Sequence, residues 1–222
     1  MRESTDMGKY STGRGRLYMD ALGDVARVNP LHPTYATCIV WIPHSEEEQD
    51  AMFGEARRML GLRLGYEFHA TQLTKQHRTN NLPLRFFTFL ESHSFKFEAW
   101  ILEMDKQHTT VPDEFTGKLL MYELTARMFM RMPRERVEGM TLVYDDTASG
   151  KKAPKIAQEL RSHSNHVLHS RQLNYNISSV KIRPAHKLVG LQLADYVVAA
   201  VVRGWHECDD VLKAWPIDHW RI

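Results

Sequence analysis

The sequence predicts an α/β domain built on one mixed sheet, and three observations support that class. Segments with strand character alternate along the chain with segments whose apolar residues recur at helical spacing. Three of the predicted strands lie in the N-terminal half, before the longer helices of the C-terminal half. No repeat and no linker rich in Pro, Gly or Ser divides the chain, so we expect a single domain over 15–222.

Five segments are predicted as strands. The segment "YATCIVWI" is rich in β-branched and aromatic residues and is closed by Pro43. In "SFKFEAWILEM", Phe95, Phe97, Ala99 and Ile101 fall on one face, which is typical of a half-buried strand. In chain order the five predicted strands cover residues 16–20, 35–42, 94–104, 139–146 and 176–182.

The predicted helices have recognisable ends. Ser45 followed by Glu48 is a capping-box signature, and Gly61 supplies the stop of the same helix. A long helix is expected to open at Pro112 and to end near Met132, because a proline follows it. Further helices are predicted over 82–93, 154–168 and 189–202.

Composition excludes few functions. The 222 residues are 43% hydrophobic and 25% charged, which is ordinary for a globular protein, and the net charge of +2 neither requires nor excludes a polyanionic partner. The two cysteines form no CxxC pair, so we expect a reducing cytoplasm. Residues 1–14 are predicted to be a flexible polar tail without a secretory signal, and no window is apolar enough to predict a membrane span.

Acidic residues occupy unusual positions in these elements. Asp195 lies inside the nearly apolar helix "VGLQLADYVVAAVV". Asp20, Asp145 and Asp146 stand where predicted strands end, and Glu67 lies in "GYEFHA" beside His69. Acids at strand ends tend to converge at one edge of an α/β sheet. Several carboxylates together suit Mg²⁺, and two such ions about 4 Å apart can promote phosphodiester cleavage. The alternatives are that the strand-end acids are turn formers or helix caps, and that Asp195 is a buried partner of an arginine or of backbone amides.

Histidines and basic residues add further candidates. His69, two residues after Glu67, is predicted either to orient a water or contact the substrate, or to be a structural histidine beside the site. The histidines of "SHSNHVLHS" are spaced by three but lack a nearby cysteine, which disfavours a zinc site. Arg161, Arg171 and Lys181 form either a basic rim for a nucleic-acid backbone or an ordinary mixed surface.

Four blocks of the chain together resemble a known family. They are "LYMDALGD" (17–24), "EFHA" (67–70), "LVYDD" (142–146) and "GLQLADYVVAAVVR" (190–203), and they occur in the family's order. The family is the prokaryotic group described as domain of unknown function 3800, whose clearest mark is the "QLAD" core in an apolar helix. It is grouped with ribonuclease H-like proteins. The resemblance therefore implies a ribonuclease H-like sheet of three antiparallel and two parallel strands, flanked by helices.

The resemblance also implies a site. By similarity, Asp20, Glu67, Asp145 and Asp195 bind two divalent metal ions, Mg²⁺ or Mn²⁺, and His69 acts beside them. Asp145 is preferred to Asp146 because it follows "LVY", although neighbouring strand residues face opposite ways. The implied activity is a nuclease, that is, a phosphodiesterase acting on RNA or DNA.

The first block departs from the family's pattern. The family usually has Asp-Glu-Ser-Gly at the first strand, whereas Asp20 is followed here by Ala21 and Leu22, with Asp24 retained. Two hypotheses follow. The first is a metal-dependent nuclease with water as the nucleophile. The second is a catalytically degenerate module that binds nucleic acid or has a regulatory role, and that uses the basic rim or a homo-oligomer interface.

Overall fold

A mixed sheet forms the centre of the computed structural model, which describes residues 15–23, 34–70, 80–105, 118–145 and 150–222. Within these residues the sheet has six strands and is flanked by seven α-helices, which confirms the predicted α/β class. The strand order is β5-β4-β1-β2-β3-β6. The strands are β1 (Arg16–Leu22), β2 (Thr34–Ile42), β3 (Glu98–Asp105), β4 (Thr141–Tyr144), β5 (Ser179–Ile182) and β6 (Ile217–Arg221).

The pairing directions divide the sheet. Strands β1, β2 and β3 form an antiparallel meander, while β4 is parallel to β1, β5 is parallel to β4, and β6 is parallel to β3. The prediction of five strands missed β6. That strand is short, lies at a sheet edge and is half exposed, so it lacks the alternation that marks the other strands and depends on pairing with β3.

Seven α-helices lie in the described part of the chain. The capping box at the first one is confirmed, since the Ser45 side chain accepts the Glu48 N–H and the Glu48 carboxylate accepts the Ser45 N–H. The predicted helix start at Pro112 lies outside the described residues, as do the predicted tail, Asp24 and Asp146. The helices are α1 (Glu46–Met59), α2 (Leu82–Ser92), α3 (Lys118–Arg131), α4 (Arg134–Val137), α5 (Ala153–Ser170), α6 (Val189–Val202) and α7 (Asp209–Leu212).

The sheet separates two apolar cores. Helices α1, α2 and α6 pack on one face, where Tyr18 and Cys38 point, and helices α3 and α5 pack on the other, where Leu17 and Met19 point. Successive residues of β1 therefore enter different cores, as the two-residue period of a strand requires. The predicted face of Phe95, Phe97, Ala99 and Ile101 is buried in the first core.

Helix α6 is buried from Val189 to Ala200, as its apolar composition predicts. It lies against β1 and β2. Gly190 allows this close approach, because a Cβ there would come within 2.5 Å of the Tyr18 ring. No helix in the described ranges has both the length and the apolarity needed to cross a membrane.

Candidate functional site

The ends of β1 and β4 place two of the predicted acids next to each other. Met19 lies opposite Tyr144 in the parallel pair, and the Asp145 N–H donates to the Met19 carbonyl at 3.2 Å. Asp20 and Asp145 are thus the next residues on neighbouring strands, which in general run about 4.8 Å apart. The parallel pairing of β1 with β4 therefore brings these two acids together.

The third acid comes from the helix above the sheet. Tyr18 and Val143 point into the core that contains α6, and Asp20 and Asp145 each stand two residues later, on the same face of the sheet. Asp195 lies on α6, and its charge and that of Asp145 both act on the Asp20 carboxylate. The site therefore draws one aspartate from each of three elements.

The neighbours of Asp195 explain how a carboxylate is accommodated in an apolar helix. Only 5% of the residue is exposed, and its Oδ2 accepts the Ala70 N–H at 2.6 Å and lies 3.0 Å from Nδ1 of His69. In the described part of the chain no arginine or lysine forms an ion pair with it. The alternative of a buried arginine partner is thus not supported, whereas the alternative of a backbone amide partner is.

Burial and the neighbouring acids both raise the pKa of Asp20. Burial raises the pKa of this carboxyl well above its usual range, and the charges of Asp195 and Asp145 raise it further. The Ala21 N–H, at 2.7 Å from Oδ1, and the nearby His69 only partly offset these effects. Burial and the neighbouring carboxylates thus disfavour the charged form of Asp20.

His69 is the basic member of the cluster. Its hydrogen bond to Asp195 raises the pKa of the imidazole, and the charges of Asp20 and Asp145 contribute in the same direction, while burial opposes them. The side chain is 32% exposed, so the ring is accessible to solvent. A protonated His69 can balance part of the acidic charge and can face an anionic substrate.

Asp145 also has a structural contact. Its Oδ1 accepts the Ala185 N–H at 3.2 Å, at the start of the 3₁₀ turn Ala185–Lys187 that leads into α6. This is the capping role that the sequence left open as an alternative. One oxygen of Asp145 therefore fixes the entry to the helix that carries Asp195.

Glu67, the fourth predicted ligand, is not brought into the group. Among the described residues it forms no hydrogen bond or ion pair with the three aspartates, and its charge acts on Arg57. The Arg57 Nε donates to the Tyr66 carbonyl at 2.6 Å, and the His69 N–H donates to the Glu67 carbonyl at 3.0 Å in a tight turn. The role of Glu67 as a ligand stays a prediction.

Gln192 is a buried residue, 3% exposed, for which the sequence predicted no role. Its side chain accepts the Phe68 N–H at 3.1 Å and donates to the Ala185 carbonyl at 3.2 Å. A signal was present in the sequence: Gln192 lies three residues before Asp195, so the two side chains share one face of the apolar helix.

The chemistry of the donors fits a hard divalent cation, since carboxylate oxygens are what Mg²⁺ and Mn²⁺ prefer. Their present arrangement is not that of a formed metal centre. Within the described residues, no group of three or more His, Cys, Asp or Glu side chains is placed to hold a metal ion. Backbone N–H groups and His69 already contact oxygens of Asp20, Asp145 and Asp195.

Comparison with known proteins found no match at any level: no family model, no curated protein and no solved structure matches this chain.

Proposed function

We propose that the protein is a divalent-metal-dependent phosphodiesterase of the ribonuclease H-like type, which cuts RNA or DNA. The observation that carries the proposal is the group of three aspartates from β1, the end of β4 and α6, in which burial and the charges of Asp195 and Asp145 disfavour the charged form of Asp20. The strand order β5-β4-β1-β2-β3, with three antiparallel and two added parallel strands, supports the fold assignment. The numbers of antiparallel and parallel strands in this part of the sheet are those that the sequence resemblance implies, and the edge strand β6 is additional.

In this proposal Asp20, Asp145 and Asp195 would hold Mg²⁺ or Mn²⁺. The chemistry that such an ion supplies is Lewis acidity toward water and phosphate oxygens. A cation bound there would offset the repulsion from Asp195 and Asp145, which adds to burial in raising the pKa of Asp20.

His69 has a separate role in the proposal. It fixes Asp195 through Nδ1, and its partial exposure allows it to exchange a proton with solvent or to contact a phosphate. Its raised pKa favours the imidazolium form, which suits a polyanionic substrate. Nucleic acid as the substrate follows from the resemblance and from the proposed phosphodiester chemistry.

The test is a cleavage panel on end-labelled RNA, DNA and RNA–DNA hybrid, each with Mg²⁺, Mn²⁺ or chelator. We expect cleavage with metal, none in chelator, and a loss of more than about 100-fold in Asp20→Asn. Asp218→Asn is the matched control, because Asp218 is an exposed aspartate of β6 on the same sheet. Activity of Asp20→Asn equal to that of the control would contradict the proposal.

A second candidate function is a module that keeps the fold and binds nucleic acid or regulates without cutting, for which a homo-oligomer would provide an interface. Two observations favour it: Ala21 stands where the family usually has Glu, and its N–H bonds Asp20, while no group of three ligands is formed among the described residues. Binding of one of the labelled substrates without cleavage in any metal would support this candidate against the first.

A further inference from the structure

We propose that Gln192 is a positioning residue that holds the segment 66–70 and the turn at Ala185 in fixed relation to Asp195, an inference that rests on the proposed function. The primary amide of Gln192 is buried and makes contacts at both ends. Oε1 accepts the Phe68 N–H at 3.1 Å and lies 3.4 Å from Nη2 of Arg57, while Nε2 donates to the Ala185 carbonyl at 3.2 Å.

The first of these contacts fixes the segment that carries His69. Residues 66–69 form no strand or helix, so their own backbone does not define their position. Gln192 receives the Phe68 N–H and Asp195 receives the Ala70 N–H, so two side chains one helical turn apart bind two amides on either side of His69. This pair sets where His69 meets Asp195.

The second contact reaches the other acid-bearing segment. The Ala185 peptide carbonyl accepts from Gln192, and the Ala185 N–H donates to Asp145. A single side chain on α6 therefore links the segment before Ala70 to the turn that holds Asp145. The glutamine and the aspartate of "QLAD" act together: Asp195 belongs to the acid cluster, and Gln192 fixes the segments on both sides of it.

The chemistry of the site requires an amide. A carboxylate at position 192 would keep an acceptor for Phe68 but would place a second oxygen against the Ala185 carbonyl. An apolar side chain would leave both the Phe68 N–H and the Ala185 carbonyl without these partners in a buried site, which is unfavourable. Gln192→Met removes both hydrogen bonds at similar volume, and Gln192→Glu removes only the donor.

Gln49 provides a matched control. It is also a buried glutamine, 1% exposed, whose Nε2 donates to a backbone carbonyl, that of His44 at 2.8 Å. It lies on α1, and within the described ranges none of its hydrogen bonds is to Asp20, Asp145 or Asp195. Gln49→Met therefore reports the general effect of losing a buried amide, without the positioning effect.

The experiment measures amide hydrogen exchange and Mn²⁺ binding in the whole protein. We expect Gln192→Met to speed exchange of the Phe68 amide at least about 10-fold and to weaken Mn²⁺ binding about 10- to 100-fold, as lost supporting hydrogen bonds typically do. Gln49→Met should leave both quantities near the wild-type values. Gln192→Glu should keep the Phe68 amide protected and still weaken Mn²⁺ binding, and it is the variant to use if Gln192→Met does not fold.

Unchanged exchange at Phe68 in Gln192→Met, or the same loss of Mn²⁺ affinity in Gln49→Met, would overturn the inference. Failure of the wild type to bind Mn²⁺ would test the proposed function and not the role of Gln192. If exchange at Phe68 still responded to Gln192→Met in such a protein, the hydrogen-bond assignment would be supported and the proposed metal-dependent function contradicted.

Discussion

Acidic side chains at the two ends of the central strands have different charged neighbours. Near the ends of β1 and β4, Asp20 lies close to the charges of Asp195 and Asp145, and within the described ranges its carboxylate accepts the Ala21 N–H. At the opposite end, Glu98 accepts two hydrogen bonds from Arg136, at 2.7 and 3.0 Å, and the guanidinium lies 3.7 Å from the centre of the Trp41 ring. Among the described residues, an arginine pairs with the acid at one end, which we call the balanced end, whereas burial and two carboxylates raise the pKa of Asp20 at the other, which we call the unbalanced end.

The balanced end also has a spacious groove. Its volume is about 650 Å³, its walls include Trp41, Phe95, Phe97 and Trp215, and it contains none of the three clustered aspartates. Judged by volume alone, this groove would be the candidate binding site. The environment of the acids distinguishes the two ends, because a buried carboxyl whose charged form is disfavoured by its neighbours is a candidate site for a cation, whereas Glu98 is already paired with Arg136.

The largest stability effect is expected at the balanced end. Arg136→Gln should lower the free energy of unfolding by about 2–3 kcal/mol, because Glu98 loses two charge-assisted hydrogen bonds while its side chain is only 22% exposed. Urea denaturation at neutral pH measures the change. Arg134→Gln, on the same short helix, should have a much smaller effect, since its bonds to Glu138 are exposed. Equal losses in the two variants would contradict the assigned importance of burial.

Divalent metal should stabilise the unbalanced end. At a concentration of 100 times its dissociation constant, a metal bound only by the folded state raises the free energy of unfolding by about 2.7 kcal/mol. We therefore expect Mg²⁺ or Mn²⁺ to raise the melting temperature of the wild type and of Asp218→Asn relative to chelator. The rise should be reduced or absent in Asp20→Asn. A wild type that melts identically in metal and in chelator would count against the metal site.

Removing one acid should help the metal-free protein. In chelator at neutral pH, Asp20→Asn should be more stable than the wild type by about 1 kcal/mol, because a neutral side chain avoids both the burial of a charge and the repulsion from Asp195 and Asp145. The pKa of Asp20 is raised by folding, so the folded wild type loses stability as pH rises from the ordinary value of 3.8 through the raised value. The gain from Asp20→Asn should therefore shrink as pH falls. A variant less stable than the wild type at neutral pH would contradict the repulsion.

The smallest effect concerns Asp195→Asn in chelator. The asparagine oxygen can still accept the Ala70 N–H, so we expect little change in stability, in contrast to the 3–5 kcal/mol typical of a stranded buried cation. The pKa of His69 should fall, because the hydrogen bond to the carboxylate is what chiefly raises it. NMR titration of the imidazole measures this directly.

The His69–Asp195 hydrogen bond makes the stability of the protein depend on pH. Because folding raises the pKa of His69, its stabilisation is fully present below about pH 6.5, the unfolded value, and is lost as pH rises through the raised pKa. Asp195→Asn should reduce that dependence, because only the smaller contributions of Asp20 and Asp145 to the raised pKa remain. A His69 pKa unchanged by the substitution would contradict the assigned contact.

Local patterns in the sequence predicted most of the fold. The capping box at Ser45 and the alternation of β3 depend on residues a few positions apart, so a single chain displays them. Strand β6 was missed because its stability comes from pairing with β3, more than a hundred residues earlier in the chain. The sixth strand is therefore a tertiary property of a short, half-exposed segment.

Part of the acidic site could also be predicted from local sequence, and part of it could not. The sequence alone determined the apolar α6 with one buried acid and the acid that follows β4, because burial and strand composition depend on neighbouring residues. The predicted end of the first strand at Asp20 was wrong, since pairing with β2 extends β1 to Leu22. Only the tertiary structure decided that His69 rather than Glu67 meets Asp195, and that Gln192 connects Phe68 to Ala185. The Gln192–Phe68 bond joins residues 124 positions apart, so its formation depends on how α6 packs on the sheet, which no local pattern encodes.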